Sequence, residues 1–127
     1  QFWDGYTGFE NLKMLASIKK QINDEAIRAT LEKVGLDPGD KKTVKKYSLG
    51  MKQKLGIAQA IMESPDIILL DEPTNALDKK STENIRGIIA EEAARGAIVV
   101  IASHVEADLD ICDIRYEMSD GEIYYEE

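Results

Sequence analysis

The sequence of 127 residues is poor in cysteine and contains no long hydrophobic run. Its single cysteine, Cys112, cannot form a disulfide within the chain, which is typical of proteins from reducing compartments, and we expect a small buried side chain there. A membrane-spanning helix needs about 20 consecutive apolar residues, and no stretch approaches that length. A disulfide framework and a membrane-spanning helix are therefore both excluded for these residues.

Positive charge is also scarce. The chain has 16 lysines and arginines against 24 acidic residues, which gives a net charge of −8. Because phosphate groups repel such a chain, the charge argues against binding to nucleic acid or to anionic lipid. One lysine-rich stretch is expected to form a solvated face, with a basic binding patch as the alternative, and its members are Lys41, Lys42, Lys45 and Lys46.

A third absence is the glycine-rich phosphate-binding loop of many nucleotide-binding proteins. None of the nine glycines stands at the spacing G-x-x-x-x-G-K-[ST]. The sequence also begins with Gln1-Phe2-Trp3 rather than with a methionine, and we interpret it as the interior of a longer chain.

The first half of the chain has helical periodicity and clear helix boundaries. Three helices are predicted, over 9–21, 24–34 and 48–63. Asn23 or Asp24 caps the second helix, and Gly35 ends it. Residues 36–46 are predicted to form a polar connection.

The second half alternates between strands and helices. The predicted elements are strands over 67–70 and 97–102, helices over 79–95 and 105–111, and a hairpin of strands 114–118 and 122–125. The hairpin turns at Asp120-Gly121. The strands IILL and AIVVIA are apolar throughout, which is typical of strands buried on both faces of a parallel sheet. The alternation predicts an α/β fold with a parallel core.

Two carboxylates, Asp71 and Glu72, follow directly on the first predicted strand. Ligands of open parallel sheets bind beyond the carboxyl ends of the strands. One acid there can hold Mg²⁺ while the other polarises a water molecule. The alternative is a solvated acidic turn, and the residues that follow, PTNALD up to Asp78, favour the functional interpretation.

The segment DEPTNALD resembles the Walker B and D-loop of ATP-binding cassette ATPases. Upstream, YSLGM at residues 47–51 is similar to the signature sequence of that family, and KQKLGIAQAIMESPDIILL continues the family pattern. His104 follows a buried strand where the family carries its switch histidine. The resemblance implies a partial P-loop NTPase core with parallel strands, over 65–127, and an all-α helical subdomain over 1–64.

The resemblance also implies a role for each site residue. Asp71 is the Walker B acid that supports Mg²⁺, and Glu72 is the catalytic base or at least positions the hydrolytic water. His104 is expected to bind the γ-phosphate of ATP, and Asp78 belongs to the D-loop that links two sites across a dimer.

The signature segment has a simple physical basis. Ser48 caps a helix whose N-terminus attracts phosphate, and Gly50 lets backbone N–H groups approach it. In this family Ser48, Leu49, Gly50 and Met51 would contact the ATP of a second ATPase subunit. Leu49 and Met51 depart from the usual LSGGQ sequence. The variant YSLGMKQ, with GFENLKMLASIKK near the start, resembles bacterial exporters of peptide antibiotics and lantibiotics.

These implications lead to one functional hypothesis and two alternatives. The chain is expected to be part of an ATP-hydrolysing transporter subunit, peripheral at the inner, cytoplasmic face of the membrane, with a permease and a second ATPase subunit as partners. A soluble cassette without a transport role and a non-enzymatic interaction module are the alternatives. Without the phosphate loop, we expect weak ATP binding, no turnover by these residues alone, and self-association along the apolar strand 97–102.

Overall fold

The computed structural model describes residues 2–19 and 22–126. Its elements in chain order are α1 (Gly8–Lys19), α2 (Asp24–Val34), a 3-10 helix (Val44–Lys46), α3 (Leu49–Ile61), β1 (Ile67–Asp71), α4 (Lys79–Ala94), β2 (Ile98–Ala102), α5 (Glu106–Leu109), β3 (Arg115–Ser119) and β4 (Glu122–Glu126). Every predicted helix and strand is present, although α5 is shorter than expected. The predicted end of the first helix, at Gln21, lies outside the described residues.

Helices α1 and α2 begin at polar caps. Thr7 and Glu10 form a reciprocal capping box, since the Thr7 N–H donates to Glu10 Oε1 and the Glu10 N–H to Thr7 Oγ1, at 2.9 and 3.1 Å. Asn23 caps α2 by accepting from the Ala26 N–H. Gly35 adopts a left-handed conformation at φ 92° and closes the helix. The predicted cap and stop of α2 are both confirmed.

The connection 36–46 packs against the rest of the chain, although most of its residues are polar. Its four lysines are exposed, as expected of a solvated face. Val44, however, is buried, and its N–H donates to the Tyr6 carbonyl at 2.8 Å. An isolated bridge pairs Thr7 with Thr43. The connection is therefore bound to the segment that precedes α1, and two of its apolar side chains, Leu36 and Val44, lie in the core.

Strands β1 and β2 pair in parallel, with Ile67 opposite Ile98 and Asp71 opposite Ala102. The prediction that both strands are buried on both faces is wrong for the described residues. Side chains alternate along each strand, so that Ile68 and Leu70 are buried while Leu69 is exposed. Helices α3 and α4 cover one face of this pair, and no described element covers the other.

The buried side chains form one continuous cluster that runs from α1 to the β1–β2 pair. Leu12, Leu31 and Leu55 represent the helical first half, and Ile68 and Ile85 represent the second. The division into units 1–64 and 65–127 stays a prediction, since it rests on the resemblance. No described helix is both long and apolar enough to cross a membrane.

The final hairpin turns where it was predicted to turn. Asp120 and Gly121 both have positive φ, at 52° and 79°, which is the geometry of a two-residue type I′ turn. Tyr116 and Tyr125 face each other across the hairpin with ring centroids 5.5 Å apart. The expectation of a buried Cys112 is only partly confirmed, because that side chain is half-buried and its Sγ lies 3.7 Å from the Asp108 carbonyl oxygen.

Replacing Gly35 with alanine is expected to destabilise the fold by about 1–2 kcal/mol, because a Cβ is unfavourable in the left-handed conformation. Gly87→Ala provides the matched control. Gly87 lies in α4, and open space surrounds the position of its missing Cβ. That change should instead stabilise the helix by about 0.5–1 kcal/mol. Chemical denaturation of both variants measures the difference, and equal effects would contradict the assignment.

The open face of the β1–β2 pair is expected to cause self-association. Leu69, Ile98 and Val100 are exposed there, and the outer edge of β2 has no partner strand among residues 2–19 and 22–126. Leu69→Lys combined with Val100→Lys should shift the chain toward monomer. Met118→Lys, at an exposed methionine in β3 and outside the β1–β2 pair, is the control. Light scattering of a dilute wild-type sample that shows only monomer would contradict this expectation.

Candidate functional site

The parallel pairing of β1 and β2 brings the predicted acids and the histidine together. Asp71 is the last residue of β1 and lies opposite Ala102, the last residue of β2. Glu72 follows one strand, and His104 follows the other by two residues. The backbone N–H of His104 donates to Glu72 Oε1 at 3.2 Å. Residues 32 positions apart in sequence thus meet at one sheet end.

The side chains of Glu72 and His104 form an open pair. His104 Nε2 lies 3.8 Å from Glu72 Oε1, and the imidazole is 99% exposed. The Glu72 carboxylate is about one-third exposed. Both groups therefore face solvent with their reactive atoms accessible. This arrangement fits a ligand that arrives from beyond the strand ends.

Glu72 itself has an unusual backbone. Its φ of 48° lies in the left-handed region, which is unfavourable for a residue with a Cβ. Three hydrogen bonds hold it there. Its N–H donates to the Ala102 carbonyl at 2.7 Å, and its own carbonyl accepts from the Asn75 N–H at 3.1 Å and from Gln53 Nε2 at 2.8 Å. Such over-determined strain is characteristic of functional positions.

The signature segment begins helix α3. Ser48 is the N-cap, and its Oγ accepts from the Met51 N–H at 3.1 Å. Leu49 is the first helical residue, so its φ is not positive, and its side chain is 74% exposed. The helix N-terminus thus opens to solvent beside an exposed hydroxyl, and its partial positive charge favours an anion there.

Helix α3 and the loop before α4 share one groove. A Cβ on Gly50 would lie 3.0 Å from the Ala76 carbonyl oxygen, so only glycine fits without displacing the loop. Ala76 has a φ of 64°, a second strained residue in the same loop. The groove has a volume of about 440 Å³. It is lined by Ser48, Leu49, Gly50, Met51, Lys54, Ala76, Leu77, Asp78 and Ser81.

Asp78 lies in this groove as the N-cap of α4. Its carboxylate accepts from the Ser81 N–H at 2.8 Å. That hydrogen bond and one from the Ser81 hydroxyl hold the pKa of Asp78 below its ordinary value, and the charges of Lys54 and Lys80 act in the same direction. The carboxylate is therefore ionised and engaged with its own helix at neutral pH.

The predicted site residues thus fall into two groups on one chain. Ser48, Leu49, Gly50, Met51 and Asp78 line the groove, whereas Asp71, Glu72 and His104 lie at the strand ends and do not line it. The connection between the two groups is Gln53 on α3, which holds the Glu72 carbonyl.

Sequence reasoning missed three contributors to this arrangement. Gln53 contacts a residue 19 positions away, and Lys54 and Ala76 line the groove. Gln53 and Lys54 read as ordinary residues of a polar helix face. The left-handed conformation of Ala76 has no signal in its residue type. Only the approach of α3 to loop 72–78 reveals all three.

The donor set fits a magnesium nucleotide. Within 2–19 and 22–126 no cluster of three or more potential ligands for a metal ion occurs. Mg²⁺ is commonly held by one or two carboxylates, with phosphates and water completing its shell, so the exposed carboxylate of Asp71 suits such an ion. The groove offers a helix N-terminus and a hydroxyl to phosphate oxygens.

The lowered pKa of Asp78 predicts a pH dependence of stability. In the unfolded chain this carboxyl titrates near its ordinary pKa of about 3.9, and in the folded chain it titrates lower. Its stabilising effect is therefore complete above the unfolded pKa and disappears as pH falls through the folded pKa. Relative to Asp78→Asn, which keeps a capping oxygen, the wild type should lose stability on acidification below about pH 4. Thermal melts followed by circular dichroism test this, and parallel pH curves would contradict it.

Known proteins with sequences similar to this chain are ATP-binding proteins of ABC transporters. The family model described as ABC transporter matches residues 1–75. An uncharacterised ABC transporter ATP-binding protein, YybJ of Bacillus subtilis, is 48% identical over 93% of this chain and 55% of its own length. The bacitracin transport ATP-binding protein BcrA of Enterococcus faecalis is 38% identical over 98% of this chain and 41% of its own.

A lantibiotic transport ATP-binding protein, SrtF of Streptococcus pyogenes, is 38% identical over 82% of this chain and 45% of its own. The fold matches that of the ATP-binding cassette MJ0796, solved as a dimer bound to ADP and phosphate, with a TM-score of 0.91, 24% identity, and coverage of 100% of this chain and 59% of that one. The chain spans about half the length of the curated relatives it matches. Because the family model covers more than half of the residues, the chain belongs to the ABC transporter family of ATP-binding proteins.

Proposed function

We propose that this chain is part of the ATP-hydrolysing subunit of an ABC transporter that exports its substrate. The observation that carries the proposal is the presence of two complementary half-sites on one chain. One is the groove at the start of α3, and the other is the Glu72–His104 pair at the strand ends. Neither half-site encloses a nucleotide by itself, so a complete site requires further protein surface.

The strand-end group supplies the hydrolytic chemistry in this proposal. Glu72 has its carboxylate oriented by a constrained backbone, and it acts as the base that orients and deprotonates the attacking water. His104 has an exposed imidazole that donates to the γ-phosphate. Asp71 would hold Mg²⁺, which would neutralise the charge on the phosphates. Loop 72–78 then leads from these groups to Asp78.

The groove group acts on a second nucleotide. Ser48 and the first turn of α3 present a hydroxyl, N–H groups and a favourable helix dipole to phosphate oxygens. Since neither Glu72 nor His104 lines the groove, we assign the ATP in the groove to a second subunit. The similar cassette MJ0796 was solved as a dimer, which supports the pairing of two subunits, and we propose that they pair head to tail. Asp78 lies at the junction and links the two sites.

The bound nucleotide needs residues beyond this chain. No sequence segment here has the spacing of a phosphate loop, so the lysine and most of the N–H donors for the β- and γ-phosphates must come from elsewhere. The relatives are about twice as long as this chain. We expect the missing lysine and N–H donors to lie in the additional residues of such a longer protein. We expect this chain alone to bind ATP weakly and not to hydrolyse it.

A transport function requires partners that bind surfaces of this chain outside the two half-sites. The relatives named for bacitracin and lantibiotic transport support a peptide antibiotic as the exported substrate. A permease would span the membrane, and this subunit would lie at its cytoplasmic face. Trp3 and Tyr6 are half-exposed next to α1 and offer an aromatic surface to such a partner. The exposed pair Glu72–His104 favours an active enzyme over a non-enzymatic module.

Glu72→Gln in the natural full-length protein should reduce ATP turnover by roughly 100- to 10,000-fold while ATP binding persists. The amide keeps the size of the side chain but cannot accept a proton. Glu83→Gln, at an exposed position on α4, is the matched control and should retain turnover. Phosphate release and calorimetric titration measure the two properties. Undiminished turnover in Glu72→Gln would overturn the assignment of the base.

Two substitutions at Ser48 separate its structural role from its proposed binding role. Ser48→Ala removes the cap and should lower stability by about 1 kcal/mol. Ser48→Asp keeps a capping oxygen and should retain stability, but it places a negative charge where the partner's phosphate is expected. Nucleotide-dependent dimerisation should therefore be lost in Ser48→Asp although its melting temperature is normal. Dimerisation of Ser48→Asp at the wild-type nucleotide concentration would contradict the binding role.

A further inference from the structure

Asp108 is a buried acid that neither half-site uses. It lies in the short helix α5 and is 1% exposed. Removing a carboxylate from water is costly unless donors and positive charge replace the lost hydration. The donors that surround Asp108 therefore show which parts of the chain its carboxylate holds together.

Three hydrogen bonds and an ion pair satisfy this carboxylate. Oδ2 accepts from the Thr74 hydroxyl at 2.8 Å and from the Ser103 hydroxyl at 3.0 Å. Oδ1 accepts from Arg86 Nε at 2.9 Å and lies 2.9 Å from Arg86 Nη2. The partners come from three different elements, so Asp108 connects parts of the chain that no shared helix or strand holds together.

The two hydroxyl partners lie next to the proposed catalytic residues. Thr74 is buried in loop 72–78, two residues after Glu72 and four before Asp78. Ser103 directly precedes His104, and its Oγ also accepts from the Val105 N–H at 2.9 Å. One carboxylate oxygen thus bridges the loop of the base and the loop of the histidine.

Both loops need such support. Loop 72–78 contains two residues in the left-handed region, at Glu72 and Ala76, and strained backbone persists only where its surroundings fix it. The loop at 103–105 holds an almost fully exposed imidazole that packing does not position. Among the described residues, one hydrogen bond joins loop 72–78 directly to loop 103–105, from the His104 N–H to Glu72 Oε1. Asp108 supplies the other link between the two loops.

We propose that Asp108 is a positioning residue that holds Glu72 and His104 in register through Thr74 and Ser103. It touches neither substrate nor metal, and Arg86 stabilises its charge. This inference rests on the proposed ATPase function for its kinetic consequence. The clamp between the two loops is a property of the folded chain and is testable without turnover.

The chain offers a matched control in Glu92. This second buried acid is paired with an arginine, accepting from Arg95 Nε and Nη2 at 3.1 and 3.0 Å. It lies in the last turn of α4, and its described side-chain hydrogen bonds go to Arg95 rather than to either loop. Glu92→Ala removes a buried ion pair of the same kind as Asp108→Ala, so both variants should lower the melting temperature. Only Asp108→Ala should change the two loops.

Hydrogen–deuterium exchange of the natural full-length protein tests the clamp directly. Asp108→Ala should increase exchange at both 72–78 and 103–105, whereas Glu92→Ala should leave both segments as in the wild type. Increased exchange in only one segment, or equal changes in the two variants, would overturn the inference. Thr74→Val and Ser103→Ala each remove one donor, and each should release both loops partially. If Asp108→Ala fails to fold, these two variants decide the matter.

Kinetics provides the second measurement. Asp108→Ala should lower kcat for ATP hydrolysis by roughly 10- to 100-fold and leave KM within about twofold, since misplacing catalytic groups affects the reaction more than binding. Asp108→Asn, which keeps the size and one acceptor, should recover part of the loss. A kcat for Asp108→Ala equal to that of Glu92→Ala would overturn the positioning role. An inactive wild type would refute the proposed function instead, and the exchange data would still decide the clamp.

Discussion

The parallel pairing of β1 with β2 is the constraint on which the site depends. Its register sets Asp71 opposite Ala102, and the Glu72 N–H extends the ladder by donating to the Ala102 carbonyl. Parallel strands end at the same edge of a sheet, so the residues after each strand meet there. A shift by one residue would turn the buried Ile68 and Leu70 to the open face. The same packing that buries these side chains therefore also positions Glu72 beside His104.

The starts of helices α3 and α4 and the strained loop 72–78 lie next to the strand ends. Helices α3 and α4 begin at Ser48 and Asp78, and both starts lie on one groove. Gly50 lets loop 72–78 approach α3 closely, since a Cβ there would lie 3.0 Å from the Ala76 carbonyl oxygen. Gln53 then ties α3 to the backbone of Glu72. A movement of α3 would therefore displace both the groove and Glu72, because the first turn of α3 lines the groove and Gln53 on the same helix binds the Glu72 carbonyl.

The sequence predicted helix ends and turns correctly where the conformational preference of one or two residues decides them. Asn23 and Gly35 mark the ends of α2, and Asp120-Gly121 fits the turn between β3 and β4. The acids after β1 and the histidine after β2 were also found, because residue type, strand pattern and family resemblance agreed. The burial of the strands was predicted wrongly. An apolar run indicates burial on both faces, yet the covering layer for Leu69 is not among the described residues.

The sequence by itself determined the element order, the helix caps and the family, since these depend on short-range preferences and on motif residues. The tertiary structure alone decided which residues connect the two half-sites and which residue holds the loops of Glu72 and His104 together. Gln53, Ala76 and Asp108 carry no distinguishing pattern, and their partners lie far away in the sequence. Contacts of that kind follow from how helices pack on the strand pair. A buried carboxylate such as Asp108 becomes recognisable only when its three partner residues are seen to come from separate elements.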